Sequence, residues 1–397
     1  MSDRTMMTGA VCPEPRLSYR EFLQSKVVIA PDRGLDVPRS SMNPAMKPHA
    51  ADLAHWAIRG GNRAVFASFG LQKTSIQLQI LKSIIEQEGG SGLIVCPLGV
   101  KHEFVLEDRV RGFNIGPVYV RTNAELASLQ ALGHRYFLTN YERVRDGDLN
   151  PNLFTVVSLD ESSVLRSFGS KTYQTFLTLF DKVRFKYVCT ATPDPNRTKE
   201  LIHYAGFLGV MDTGHALTRF FKRDSTQAGN LQLHLHKEKE FYLWVHTWAA
   251  FVDKPSDLGH DNTGYELPPF QVHKHRLPVD HSSAGFDNHG QGKLVRDAAL
   301  GVRDAAREKR DSLMDRIECA KAIIAAAPDR NWIIWHDLEP ERHAIEQAFP
   351  EAVTVYGTQD LEKREQAIAD FADGKIKILG TKPILSGSGC NLQRHCY

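Results

Sequence analysis

The run AVFASFGLQKTSIQLQ, residues 64–79, passes from an apolar stretch through a glycine-bearing loop to a Lys-Thr pair and a helical pattern. That order suits phosphate, because backbone N–H groups and a helix N-terminus together cradle an anion. Lys73 would reach the β- and γ-phosphates of a nucleotide, the Thr74 hydroxyl would help hold Mg2+, and Gly70, Leu71 and Gln72 would shape the loop. Ala67 and Gln72 depart from the strict G-x-x-x-x-G-K-[ST] pattern. A side chain at 72 is expected to crowd the loop and restrict its backbone. By itself the run reads equally well as a chance strand-to-helix turn.

Downstream, FTVVSLDESS ends an apolar run with Asp160 and Glu161. Ligands of open α/β sheets bind at the carboxyl ends of strands. There Asp160 would coordinate Mg2+ and Glu161 would polarise the attacking water in phosphoanhydride hydrolysis. KYVCTATPDPN ends another such run with Thr190 and Thr192, a turn able to link the nucleotide edge to an interface between lobes.

These residues need elements to hold them. The runs RAVFAS, GLIVCP, RYFLTN, FTVVSLDE and FKYVCTATP are short, rich in Val, Ile, Phe or Tyr, and end in polar or Gly/Pro loops, as buried parallel strands do. Helical spacing fills the gaps, most clearly from Ser75 to Glu88. The alternation predicts a doubly wound α/β domain. Residues ~210–290 show no strand rhythm, and a long charged amphipathic segment follows. The α/β rhythm then resumes with NWIIWHD, AVTVYG and KIKILGTKP, a second unit of about three strands.

Composition excludes some classes. With 49 basic and 47 acidic residues the net charge is +2, so nucleic acid would need a local basic groove rather than a cationic coat. The six cysteines form no C-x-x-C pair, which argues against a disulfide framework or cysteine zinc site and for a reducing cytoplasm. No apolar run approaches the ~20 residues of a membrane span. The pairs His234/His236 and His273/His275 lack Cys or carboxylate partners at zinc spacing. RFFKR (Arg219 to Arg223) could stack on bases, but is read as a helix with Phe220 or Phe221 in the core and solvated cations outside.

Together the motifs resemble superfamily 2 helicases, in the phage and prophage branch related to the SWI/SNF translocases. FASFGLQKT resembles motif I, LIVCPLGV motif Ia, LDESS motif II, TATPDPN motif III, WIIWHD motif IV and ILGTKPILSGSGCNLQ motif V. The segment MKPHAADLAHWAIRGGNRA resembles the adenine-recognising stretch, which places His49 at the cofactor, although Ala50 stands where the family usually carries Gln.

The resemblance implies two RecA-like parallel-sheet lobes, the second incomplete, joined by a mainly helical insertion. The expected bounds are an N-terminal arm at 1–40, an ATP-binding lobe at 41–212, the insertion at 213–300 and a partial second lobe at 301–397. It also implies ATP and Mg2+ as cofactors and a nucleic acid, double- or single-stranded DNA first, as partner. Lys101, His102, Asn140, Arg143, Thr381 and Lys382 would lie on the nucleic-acid track, and Thr190 and Thr192 would couple the lobes.

No segment like motif VI, whose arginines contribute ~10³-fold to such rates, follows motif V before Tyr397. The second lobe therefore reads as cut short, with weak nucleotide binding and poor hydrolysis expected. The alternative reading is a non-hydrolysing, helicase-like nucleic-acid-binding remnant. A P-loop kinase is a third, against which motifs IV and V argue.

Overall fold

The computed structural model describes residues 29–166, 171–193, 198–223, 231–266, 269, 271–277, 309–387, 390, 392, 395 and 396. Residues 1–28 of the expected arm, 194–197 of the threonine turn, Leu267 and Pro268, the amphipathic segment before 309, and Gly389 and Asn391 of motif V lie outside them.

In the first lobe β1 (Arg63–Ala67), β2 (Gly92–Cys96), β3 (Val118–Tyr119), β4 (Tyr136–Asn140), β5 (Val156–Asp160) and β6 (Phe185–Thr190) run parallel in one sheet. β7 (Phe221–Arg223) and β8 (Leu231–Leu233) pair as a separate antiparallel ribbon. β9 (Ala249–Val252) then returns to the first sheet beside β1, giving the order β3-β4-β2-β5-β6-β1-β9. β1, β2 and β5 are buried at every position. That is what helices on both faces of a parallel sheet require, and why these strands read as continuous apolar runs.

Among the described residues the helices of this lobe are α1 (Pro48–Gly60), α2 (Lys73–Glu88), α3 (Lys101–Arg111), α4 (Asn123–Ala131), α5 (Tyr141–Arg145), α6 (Lys171–Leu179), α7 (Leu201–Leu208), α8 (Thr213–Phe220) and α9 (Glu238–His246). On one face of the sheet Val65 and Ala67 pack in a core with Ile76, Ile80, Leu81 and Ile84 of α2. Each such buried aliphatic side chain contributes about 1.5–3 kcal/mol. On the other face Phe66 meets Tyr204 and Trp248 edge-on, with ring centroids 5.1 and 6.5 Å away.

The stretch between the lobes holds more sheet than its sequence rhythm indicates. β9 lies in it, and Ala64 N–H donates to Trp248 O (2.8 Å) while Ser68 N–H donates to Val252 O (2.9 Å). With the sequence AAFV, β9 lacks the β-branched or alternating pattern that marks a strand. It is held by its neighbour β1 and by Trp248, which is fully buried. RFFKR is not all helix as expected: α8 ends at Phe220 and β7 begins at Phe221, and both rings are in the core.

The second lobe comprises α10 (Leu313–Ala325), β10 (Trp332–Trp335), α11 (Glu339–Ala348), β11 (Val353–Thr354), α12 (Leu361–Ala372), β12 (Ile378–Thr381) and the single turn α13 (Pro383–Ser386). Its strands are parallel in the order β10-β12-β11. Val355, Phe371 and Leu379 fill one face and Ile317, Ile345 and Ile378 the other. The chain is thus an α/β protein with two parallel-sheet lobes. No helix among the described residues is long and apolar enough to cross a membrane.

α12 meets the first lobe. Its Glu365 is ion-paired with Lys101 at the start of α3, and Glu362 lies 3.3 Å from Arg121. The Lys101 ammonium also sits 4.8 Å from the centre of the Tyr119 ring. A cleft of about 230 Å3 between α3 and α12 is lined by His102, Glu103, Arg109, Ile368, Ala372 and Cys390.

Candidate active site

β1, β6 and β5 are adjacent, and their register sets Phe66 beside Thr190 and Cys189 beside Asp160. The sheet therefore brings three sequence motifs to one edge. The loop after β1 turns through Gly70 at φ +82 and Gln72 at φ 59 into the N-terminus of α2. A Cβ added at Gly70 would meet nothing within 4 Å, so the positive φ and not crowding calls for glycine there.

Gln72 takes a left-handed conformation that costs a non-glycine residue roughly 1–2 kcal/mol. From sequence this side chain is expected to crowd the loop and restrict its backbone, and the structure gives the side chain a partner. Its Oε1 accepts from Lys47 N–H at 2.9 Å, tying the loop to the start of α1. Leu71 is 1% exposed in the core, so only its backbone is available to a ligand. Ser68 Oγ donates to Asp253 Oδ1 (2.9 Å), which binds the loop to the end of β9.

Lys73 Nζ donates to the carbonyls of Ala67 (2.8 Å) and Ser68 (3.1 Å) and stands 5.4 Å from the centre of the exposed Phe69 ring. Burial lowers its pKa, against the charges of Asp160 and Glu161. Thr74 follows at the first turn of α2 and is partly accessible.

Asp160 is buried at the end of β5. Gln77 Nε2 donates to its Oδ1 at 2.8 Å and Tyr141 Oη donates to its main-chain oxygen at 2.6 Å. Burial pushes the carboxyl up to about 6; the Gln77 bond opposes this and the Glu161 charge adds to it. Glu161 has φ 48, a second non-glycine residue in the left-handed region at this edge. Such strain collects where surrounding structure fixes a residue for use. The Thr190 hydroxyl donates to Glu161 Oε1 (3.3 Å) and accepts from Thr192 N–H (3.1 Å), so the acidic pair and the threonine turn are bonded to each other.

His49 is 2% exposed, with its ring edge-on to Tyr265 at 5.2 Å. Ala50 is wholly buried and offers no polar group.

The six residues expected on a nucleic-acid track are more dispersed. Lys101 is in its ion pair with Glu365, and exposed His102 lines the cleft between lobes. Asn140 is 3% exposed and caps α5 by accepting from Arg143 N–H (3.3 Å), while the Arg143 guanidinium is 2.7 Å from Asp148. Thr381 is fully buried and shares a 2.8 Å bond with Ser386 Oγ; Lys382 is 2.9 Å from Glu339. The side chains of Asn140 and Thr381 thus serve the fold.

The residues that sequence reading missed are Gln77, Ser158, Tyr141 and Asp253. Only Gln77 had a local signal: it lies three positions after Thr74, on the same helix face.

The edge offers open backbone N–H groups at a helix start, a lysine held by carbonyls, and a carboxylate whose burial favours a cation beside it. Among the described residues no group of three or more His, Cys, Asp or Glu is placed to hold a metal by itself. Thr74 and Asp160 fit Mg2+ as a cation that takes few protein ligands and completes its shell with phosphate and water.

Fold and site together define an α/β chain with a strand–loop–helix turn facing an acidic strand end. No family model matches the chain. It is 24% identical over 387 residues to "Putative protein p41" of Acyrthosiphon pisum secondary endosymbiont phage 1, covering 83% of this chain and 78% of that protein. Among solved structures it is similar to the UvsW helicase from bacteriophage T4 (12% identity, TM-score 0.34, 50% of this chain and 67% of that one). It is also similar to the Sulfolobus solfataricus SWI2/SNF2 ATPase core in complex with dsDNA (13% identity, TM-score 0.43, 87% and 80%).

Proposed function

We propose that the chain is an ATP-hydrolysing motor of the superfamily 2 helicase type that tracks along nucleic acid, DNA first among the candidates. The observation that carries this reading is the convergence of Lys73 and Thr74, at the start of α2, with Asp160 and Glu161, at the end of β5, on one edge of a parallel sheet. In this reading Lys73 leaves the carbonyls of Ala67 and Ser68 for the β- and γ-phosphates. Glu161 takes the proton of the attacking water as the bond to the departing ADP breaks. Thr74 and Asp160 would hold Mg2+, which would supply charge neutralisation at the phosphates. Thr190, bonded to Glu161, relays the state of that residue to the threonine turn, and His49 with Tyr265 borders the nucleotide beyond the loop.

The nucleic-acid track takes Lys101, His102, Arg143 and Lys382 as phosphate contacts, with Asn140 and Thr381 shaping the backbone around them. The remnant alternative drew on Ala50 as well as Gln72; Ala50 offers no polar side chain, while the Gln72 side chain is engaged by Lys47 N–H, which supports the motor on that one point. Phosphate release from ATP, measured with and without duplex and single-stranded oligonucleotides, tests the proposal. Stimulation by either in the wild type, lost in Glu161→Gln by roughly 10²–10⁴-fold, is expected. Nucleotide-independent oligonucleotide binding with no hydrolysis would favour the remnant.

A further inference from the structure

The geometry points to Gln77 as the residue that positions the Asp160 carboxylate for its divalent cation, with Ser158 as its anchor. This rests on the functional reading above and assigns a new residue to its metal step.

Gln77 is completely buried on α2, one turn beyond Thr74. Its amide bridges two residues of β5: Nε2 donates to Asp160 Oδ1 (2.8 Å), and Oε1 accepts from Ser158 Oγ (2.7 Å). Ser158 and Asp160 are two apart on the strand and so point to the same face, the one α2 covers. The two ends of the amide are not interchangeable. An ionised carboxylate only accepts, so the NH2 end must face Asp160, and the oxygen is left for the serine hydroxyl. Ser158 thereby fixes the amide, and the amide fixes the rotation of the carboxylate. Tyr141 holds the main chain of Asp160 from the other side.

Stability alone does not call for this arrangement. A fully buried amide costs free energy unless every bond is made, and an aliphatic side chain of similar volume would fill the space without that risk. What the amide adds is a preset direction for the carboxylate. Groups that orient a metal's ligand in this way typically change metal affinity 10–100-fold when replaced.

The test is a MgCl2 titration of the full chain with a fluorescent ATP analogue, comparing wild type, Gln77→Met and Ser158→Ala. The expected result is an unchanged analogue affinity in EDTA and a rise of about 10-fold or more in half-saturating Mg2+ for Gln77→Met. Ser158→Ala, which leaves the amide but frees it, should shift the same way by less. A purely structural glutamine would lower the melting temperature and analogue affinity alike with and without Mg2+, leaving half-saturating Mg2+ where it was; that result overturns the inference. Should Gln77→Met not fold, Ser158→Ala carries the same comparison, and an unmoved Mg2+ midpoint in it overturns the inference too. A wild type that binds no analogue at any Mg2+ concentration fails differently, taking the nucleotide reading down with it.

Discussion

In the first lobe the polar residues at the sheet edge are buried and bonded to one another; in the second they are paired as ions at the surface. Gln77, Ser158 and Asp160 form a closed buried network, and Thr190 joins Glu161 to Thr192. At the matching edge of the second lobe Lys382 and Arg342 share Glu339, each at 2.9 Å, and their hydrogen bonds hold that carboxyl down at about 2. Arg342 also stacks on Tyr356 at 4.3 Å. Exceptions are the buried Thr381–Ser386 bond and His336, which is 4% exposed while neither ring nitrogen has a hydrogen-bond partner among the described residues. Buried satisfied networks are rigid, whereas exposed ion pairs contribute about 0–1 kcal/mol and exchange partners readily. The buried network of the first lobe is therefore the more fixed of the two, and the Glu339 pairs of the second the more readily remade.

The rigidity of the first lobe is most exposed to disruption at β9. Trp248→Ala should destabilise the first lobe by about 3–5 kcal/mol, because Trp248 is buried beneath Phe66 and Trp244. Urea unfolding followed by circular dichroism measures this. A loss under about 1 kcal/mol would mean that the returning strand is a loose connection and not part of the sheet.

Asp160→Asn probes what the buried carboxylate costs. Its folded pKa of about 6 lies above the ordinary 3.8, so the folded state holds the proton more tightly. The stabilisation is full below pH ~4 and is lost as the pH rises through about 6. At pH 7.5 without Mg2+ the neutral variant should be more stable by on the order of 3 kcal/mol, an advantage that vanishes towards pH 4. Thermal melts across that range check the sign; an equal effect at every pH would contradict it.

The smallest effect belongs to the contact between lobes. Glu365→Gln removes the carboxylate that holds Lys101, and should strengthen oligonucleotide binding by up to about fivefold while steepening its salt dependence by about one charge. Unchanged affinity and salt slope would mean that Lys101 only fastens the lobes together.

What the sequence disclosed follows from how local each signal is. β1, β2, β4, β5 and β6 were legible because a strand buried on both faces is largely apolar; the candidates Asp160 and Glu161 were named because they end a strand, and Lys73 because a glycine-bearing loop leads into a helix. β9 was not legible, since four residues of Ala, Phe and Val acquire strand character only from β1. Gln77 meets Asp160 across 83 residues and Ser68 meets Asp253 across 185, separations over which no spacing rule operates. The partner of the Gln72 side chain was hidden for a similar reason: Lys47 lies 25 residues upstream.

The most direct measurement is equilibrium binding of Mg·ATP by calorimetry to Glu161→Gln, to Lys73→Ala and to the double variant. If the β1 loop and the β5 end form one nucleotide site, Glu161→Gln binds with near wild-type affinity without turning ATP over. Lys73→Ala then loses binding by roughly 10²-fold or more, in either background. Equal affinity with and without Lys73 would contradict the account, because the phosphates would then lie somewhere other than at this sheet edge.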